Sequence, residues 1–268
     1  MSEWFQHIIN AISQEQHEKL ASLETLFHCI FLPKQKLVLH FISMDKVQHL
    51  PTYYFSSLTN EAKLRQLKCI HIWEDVYEQH PELVTARVLA LIGNRQRVHA
   101  RATQVKRIDK PTADLFLNKN HLQQSVGAYY KFGLYHHTEL VAVATFSKSR
   151  MMQDGVVPYR SYELIRFASK IGVTVTGGLS KLLTFFIQEV NPAHIMTYTD
   201  RDWGTGEGFE KLGFTCIEVT EPIAFYANIK TLERLTLKQL PVTMQHDWIP
   251  IYNSGSNKFV LDRRNYTS

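Results

Sequence analysis

Val173-Thr174-Val175-Thr176-Gly177-Gly178-Leu179-Ser180-Lys181-Leu182 is the stretch whose reading decides the fold. β-rich residues lead into a glycine pair, and the pair opens the clearest amphipathic helix of the chain. Leu179, Leu182, Leu183, Phe186, Ile187 and Val190 recur at intervals of three and four, which is one apolar helical face. Pro192 ends it. Such a helix start has chemical consequences. Its first N–H groups lack intrahelical acceptors and lie at the positive end of the dipole, so an anion sits there well. Glycines let the backbone approach that ligand, Ser180 adds a hydroxyl and Lys181 a charge. The spacing is neither that of a P-loop nor that of the dinucleotide fingerprint. The competing reading is a turn that only redirects the chain before a core helix.

On the N-terminal side of this stretch, residues 162–168 read as a strand. Before them, 128–135 and 139–146 are β-rich runs joined by the polar turn His136-His137-Thr138. A short helix is expected at 113–118, behind a seam at Lys110-Pro111-Thr112. On the C-terminal side come a strand at 194–199, a short helix at 209–212 and a strand at 215–219. From Thr231 the chain reads as a tail carrying Pro241, Pro250 and the turn Asn253-Ser254-Gly255. Ahead of the seam lies a smaller α/β pattern. Trp4, Phe5, Ile8, Ile9 and Ile12 mark a helix face, 36–42 and 69–73 read as buried strands, and 60–68 as a polar helix between them. Pro81 starts another helix, Gly93 stops it, and 96–107 reads as one basic strand.

The chain has 268 residues, of which 44% are hydrophobic, so two domains with sizeable cores are expected. A formal charge of +5 permits a nucleic-acid partner without requiring one. No signal layout and no apolar run of transmembrane length is visible. Cys29, Cys69 and Cys216 are far apart and odd in number, with no disulfide framework and no zinc spacing. A cytoplasmic protein without a metal is therefore expected.

Strand, glycine turn, helix, strand and short helix, followed by Lys211-Leu212-Gly213-Phe214, resemble the second half of the GNAT acyl-CoA N-acyltransferase superfamily. The resemblance covers residues 111–229. It implies a mixed-sheet α/β domain, acetyl coenzyme A as cofactor and an amine as substrate. The cofactor-binding set it implies is Phe167, Ala168, Gly177, Gly178, Leu179, Ser180 and Lys181. More narrowly, 145–150, 162–167, 177–182 and Tyr198-Thr199-Asp200-Arg201-Asp202-Trp203 look like an uncharacterised group of phage and bacterial proteins. In that group an acetyltransferase-like module follows one resembling homing or very-short-patch-repair endonucleases. Two departures stand out. The superfamily's Arg/Gln-x-x-Gly-x-Gly/Ala loop is replaced by residues 175–180, and the tyrosine that protonates the leaving thiolate becomes Phe209.

Transfer from a thioester to an amine requires a base for the ammonium proton. Glu163, on the strand before the glycine turn, is the first candidate, with pairing to Arg166 as its structural alternative. His121 is the second, with a local hydrogen bond as its alternative. Asp200, Arg201 and Trp203 are expected to bind substrate, or to form a self-satisfying turn of charges with Asp202. Tyr198 and Tyr226 are the available acids. In the first module Leu37-Val38-Leu39-His40-Phe41 and Cys69-Ile70-His71-Ile72-Trp73-Glu74-Asp75 resemble two nuclease strands. His40 replaces the first carboxylate, so a degenerate module is expected, with Arg95, Arg97, Arg101, Lys106 and Arg107 available to phosphates. The expected division is 1–110, a smaller α/β module; 111–229, the acyltransferase-like domain; and 230–268, an extension. The competing function is a catalytically inactive binding protein of mobile-element origin, associated with nucleic acid.

Overall fold

The computed structural model describes residues 4–15, 26–155, 157–240 and 248–264. In chain order the first elements are α1 (Gln6–Ala11), β1 (His28–Leu32), β2 (Leu37–Ile42), α2 (Tyr54–Leu64), β3 (Lys68–Trp73), α3 (Glu74–Gln79) and α4 (Pro81–Leu91). Then come β4 (Gln96–His99), β5 (Thr103–Arg107), α5 (Lys110–Asn120), β6 (Tyr130–His136), β7 (Glu139–Phe146), β8 (Arg150–Asp154), β9 (Val157–Ser169) and β10 (Val173–Thr176). The remainder are α6 (Gly178–Val190), β11 (His194–Asp200), α7 (Glu207–Glu210), β12 (Thr215–Val219), β13 (Ala224–Asn228), β14 (Arg234–Thr236), β15 (Trp248–Tyr252) and β16 (Ser256–Asp262).

The chain divides into two compact units, each assembled from three stretches. The first takes Met1–Ile92, Thr199–Gly206 and Glu218–Asn257; the second takes Gly93–Tyr198, Glu207–Ile217 and Lys258–Ser268. This corrects the expected division at 110 and 229. The supposed tail supplies β14, β15 and β16, and its chain returns to both units. The supposed seam is the start of α5: Asp109 accepts the Thr112 N–H at 2.9 Å and Pro111 occupies the first turn.

In the first unit β1, β2 and β3 form a sheet in that order, antiparallel then parallel, with His40 opposite both Cys29 and His71. All six residues of β2 are buried, as a central strand covered on both faces demands. Leu58 and Ala62 of α2 close over Cys29, Val38 and Cys69. Ala227, Ile249 and Ile251, from the separate sheet β14-β13-β15, join Phe27, Ile42, Phe55 and Trp73 in a second core.

The second unit is a mixed α/β domain. Its eight-stranded sheet runs β12-β16-β11-β9-β7-β6-β5, with β8 attached to β9. The strand expected at 96–107 is two strands, split by a 3-10 turn at Ala100–Ala102. β5 joins the large sheet, whereas β4 pairs in parallel with β10, Gln96 to Val173 through His99 to Thr176. The Val-Thr-Val-Thr run is thus a strand in its own right. Helix α6 packs Leu182, Leu183 and Phe186 onto Phe132, Leu134, Phe146, Tyr162 and Ile195. The Phe186 ring stacks on Phe146, 3.9 Å between centroids. Burying three such side chains contributes on the order of 5–9 kcal/mol, at about 1.5–3 kcal/mol each. This is the mixed-sheet α/β architecture expected of an acyl-CoA N-acyltransferase-like domain; the first unit is α/β as well, but it is not the smaller of the two, because the C-terminal stretch expected to be an extension supplies part of it.

Candidate active site

β9 and β11 are parallel neighbours only over His194–Ser161, Ile195–Tyr162 and Met196–Glu163. Thr197 Oγ1 donates to the Leu164 carbonyl at 2.9 Å, where the pairing stops. β9 then continues along β7 to Ser169, while β11 goes on to Asp200. Opposite Thr145 and Phe146 the register of β9 jumps from Arg166 to Leu164, so Ile165 bulges without a cross-strand partner. The two strands therefore part at the carboxyl end of their paired segment. Ligands of open α/β sheets bind in that position.

Strand alternation decides what faces this opening. Tyr162, Leu164 and Ile195 lie in the core beneath α6. Ser161 and Glu163 take the other face, with His194, Met196 and Tyr198 of β11. Ser161 Oγ and His194 Nδ1, 2.8 Å apart, tie the strands together there. Glu163 is fixed through its main chain: its N–H donates to Ser147 Oγ and its carbonyl accepts the Ser147 N–H, both at 2.9 Å. The ion pair offered as its structural alternative is not a close contact, although the Glu163 carboxylate supports the Arg166 charge against burial. Arg166 instead donates Nε to the Gln124 carbonyl and an Nη to its neighbour Ile165. Tyr198 stands two residues past the last β9 pair on the Glu163 face, 43% exposed.

The glycine turn is demanded by packing as well as by any ligand. Gly177 caps α6 at φ +77°, in the left-handed region. A Cβ on Gly178 would meet Val175 Cβ at 2.9 Å and Leu134 Cδ1 at 3.3 Å. The first intrahelical bond is Lys181 N–H to the Gly177 carbonyl, so the N–H groups of Gly178, Leu179 and Ser180 precede the ladder. These donors suit a pyrophosphate. Lys181 does not add its charge to them as expected: its ammonium donates to the Ala100 and Thr103 carbonyls. Phe167 packs against the α6 core, and Ala168 is buried on the α5 side with Phe116, Leu117 and Val143.

His121 follows α5, and its Nδ1 accepts the Gln123 N–H at 3.1 Å. That lone pair is engaged locally, which is the alternative raised for this residue. Its neighbour Asn120 is buried, donating to the Phe116 carbonyl and accepting the Ile171 N–H. Asp200, Arg201 and Trp203 belong to the first unit. Arg201, 7% exposed, donates to the Ser254 carbonyl at 2.8 Å and to Asn60 Oδ1 at 2.5 Å. Asp202 accepts Trp73 Nε1 and the Ser254 N–H, both at 2.8 Å. Arg87 lies over the Trp203 ring at 4.7 Å. Burial, reinforced by the Asp202 carboxylate, pushes the Asp200 carboxyl up to about 7. Arg201 and Asp202 thus hold neutral partners within the first unit, and Asp200 accepts the Asp202 N–H at 3.0 Å. Tyr226 also lies in the first unit, on β13. Phe209 is packed against Phe214 and Phe259.

Glu74 and Asp75 of the nuclease-like stretch have structural partners. Glu74 accepts the Met44 N–H at 2.7 Å, and fully buried Asp75 takes a bidentate pair from Arg234 at 2.6 and 2.7 Å. None of the described helices is long and apolar enough to cross a membrane.

No family model matches the chain, and no curated protein matches it. Among solved structures it is similar to an acetyltransferase of Bacillus subtilis in complex with CoA, at 13% identity and TM-score 0.37, covering 60% of this chain and 98% of that one. The ribosomal-protein-S18-alanine N-acetyltransferase of Escherichia coli gives 14% identity and 0.37, covering 60% and 93%. A GNAT family acetyltransferase of Elizabethkingia anophelis with acetyl-CoA bound gives 11% and 0.36, covering 60% and 98%. Likeness at this level assigns no activity.

Proposed function

We propose that the second unit is an N-acyltransferase that takes acetyl coenzyme A into the opening between β9 and β11 and passes the acetyl group to an amine. The parting of these two strands just beyond Glu163 and Met196 is the observation that carries the reading. The N–H groups of Gly178, Leu179 and Ser180 would hold the pyrophosphate, aided by the helix dipole. Main-chain groups of Phe167 and Ala168, on the side of β9 turned to the opening, would hold the pantetheine arm. When bound, the coenzyme supplies an acyl group activated as a thioester. Glu163 accepts the ammonium proton at a carboxylate that makes no close ion pair among the described residues, with the Arg166 guanidinium near enough to feel its charge. Tyr198, on the same face, replaces the tyrosine lost at Phe209 as the proton donor. Lys181 has no direct part, because its ammonium serves the 3-10 turn that supports β4 and β5.

The test is a titration of the full chain with coenzyme A and acetyl coenzyme A, followed by calorimetry and thermal melting. Ligand at a hundred times its dissociation constant should stabilise the protein by about 2.7 kcal/mol. Thiol release over a panel of amines then identifies the acceptor class. Neither heat nor a melting shift with excess ligand would end the proposal.

A further inference from the structure

Three metal-ligating side chains outside the proposed active site converge inside the first unit. His40, on β2, and His71, on β3, are register partners, and Cys69 precedes His71 by two residues on the same sheet face. One ligand atom from each lies within 4.8 Å of the other two, and all three residues are buried. The imidazoles meet Nδ1 to Nδ1 at 2.8 Å with their planes 72° apart. Thr59 Oγ1 donates to the Phe55 carbonyl at 3.0 Å, so it accepts from His71 Nε2, 2.8 Å away. A proton on Nε2 leaves the His71 Nδ1 lone pair aimed at His40. A backbone or hydroxyl partner that fixes the tautomer in this way is what orients histidine ligands of metal ions.

We propose that His40, Cys69 and His71 form a binding site for a divalent zinc-class ion, using both Nδ1 atoms and the Cys69 sulfur. Two imidazoles and a thiolate select zinc or cobalt over magnesium and calcium, which take oxygen ligands. The ion replaces the hydrogen bond between the two Nδ1 atoms. The proton held there moves to Nε2 of His40, and the Cys69 thiol releases its proton to solvent, one proton per ion. Cys29 faces the same side from β1, opposite His40, and is placed to approach the fourth coordination position. The site ties two strands of the sheet beneath α2, a structural role that needs no access for substrate.

The experiment uses the full chain, stripped with a chelator and titrated with cobalt(II). One equivalent should give tetrahedral d–d bands with thiolate-to-cobalt charge transfer, and zinc should displace them. Cys69→Ala and His40→Ala, checked for folding by circular dichroism, should lose the bands. Thr59→Val should lower affinity about ten- to a hundredfold, as loss of an orienting partner does. Should the ligand variants fail to fold, X-ray absorption at the zinc edge of the parent protein replaces them. A shell containing sulfur and imidazole supports the site; a shell of oxygen alone overturns it. Absence of cobalt uptake by the folded parent, or unchanged binding in Cys69→Ala, also overturns it, leaving a hydrogen-bonded histidine pair.

Discussion

Glu163 is anchored by main-chain hydrogen bonds to Ser147, and Arg166, which feels its charge, keeps the Gln124 and Ile165 carbonyls as partners when that charge is removed. Glu163→Gln should therefore fold and bind coenzyme A like the parent, while acetyl transfer slows about a hundred- to ten-thousandfold. Parallel coenzyme titrations and single-turnover rates check this; equal rates would move the base elsewhere. Asp200 offers a different test at the same scale. Its carboxyl is raised, so the folded state favours the proton, and the penalty builds as pH climbs from about 4 and is complete past about 7. Stability from this group grows as pH falls from there towards the unfolded value near 4. Asp200→Asn should exceed the parent by about 1–2 kcal/mol at about pH 8, a figure discounted for partial exposure, with the advantage fading towards about pH 4. Urea melts at both pH values measure it, and an advantage that widened in acid would contradict it. The strand carrying Glu163 is legible in the sequence. That Tyr198 shares its face is not, because this depends on the register of two parallel strands tied at Ser161 and His194, 33 residues apart.

Helix α6 shows at the scale of elements what periodicity can and cannot reveal. Its apolar stripe is local, so the sequence displays it in full. The strand β10 before it is four residues long and pairs with β4, a partner separated from it by α5 and five strands, so it passes for a loop. The same distance hides β16, and it hides the meeting of His40, Cys69 and His71, which no spacing along the chain announces. The glycine pair is legible as a turn, but its packing is not. Because a Gly178 Cβ would strike Val175, Gly178→Val should destabilise the second unit by about 1–3 kcal/mol with or without coenzyme, as overpacking does. Adding Val175→Ala should recover part of that loss, since neighbours in contact are not additive. Chemical denaturation of the single and double variants tests the coupling; strict additivity would mean that the helix start yields elsewhere.

For the whole molecule, the order β12-β16-β11 matters most. A fragment spanning 111–229 lacks β5 at one edge of the large sheet and β16 near the other, leaving β12 without its neighbour. Such a fragment should show neither a cooperative thermal transition nor slow amide exchange in β11, whereas the full chain should show both. A cooperatively folding fragment would mean that the sheet closes without β16. The same topology bears on biosynthesis. When β11 has emerged from a ribosome, its outer flank still lacks a neighbour, and some sixty residues must follow before β16 arrives. At about 5–20 residues per second that is an interval of roughly 3–12 s. During it a nascent strand edge stands open to chaperones or to wrong pairing, and both units reach completion almost together as the final strand threads home.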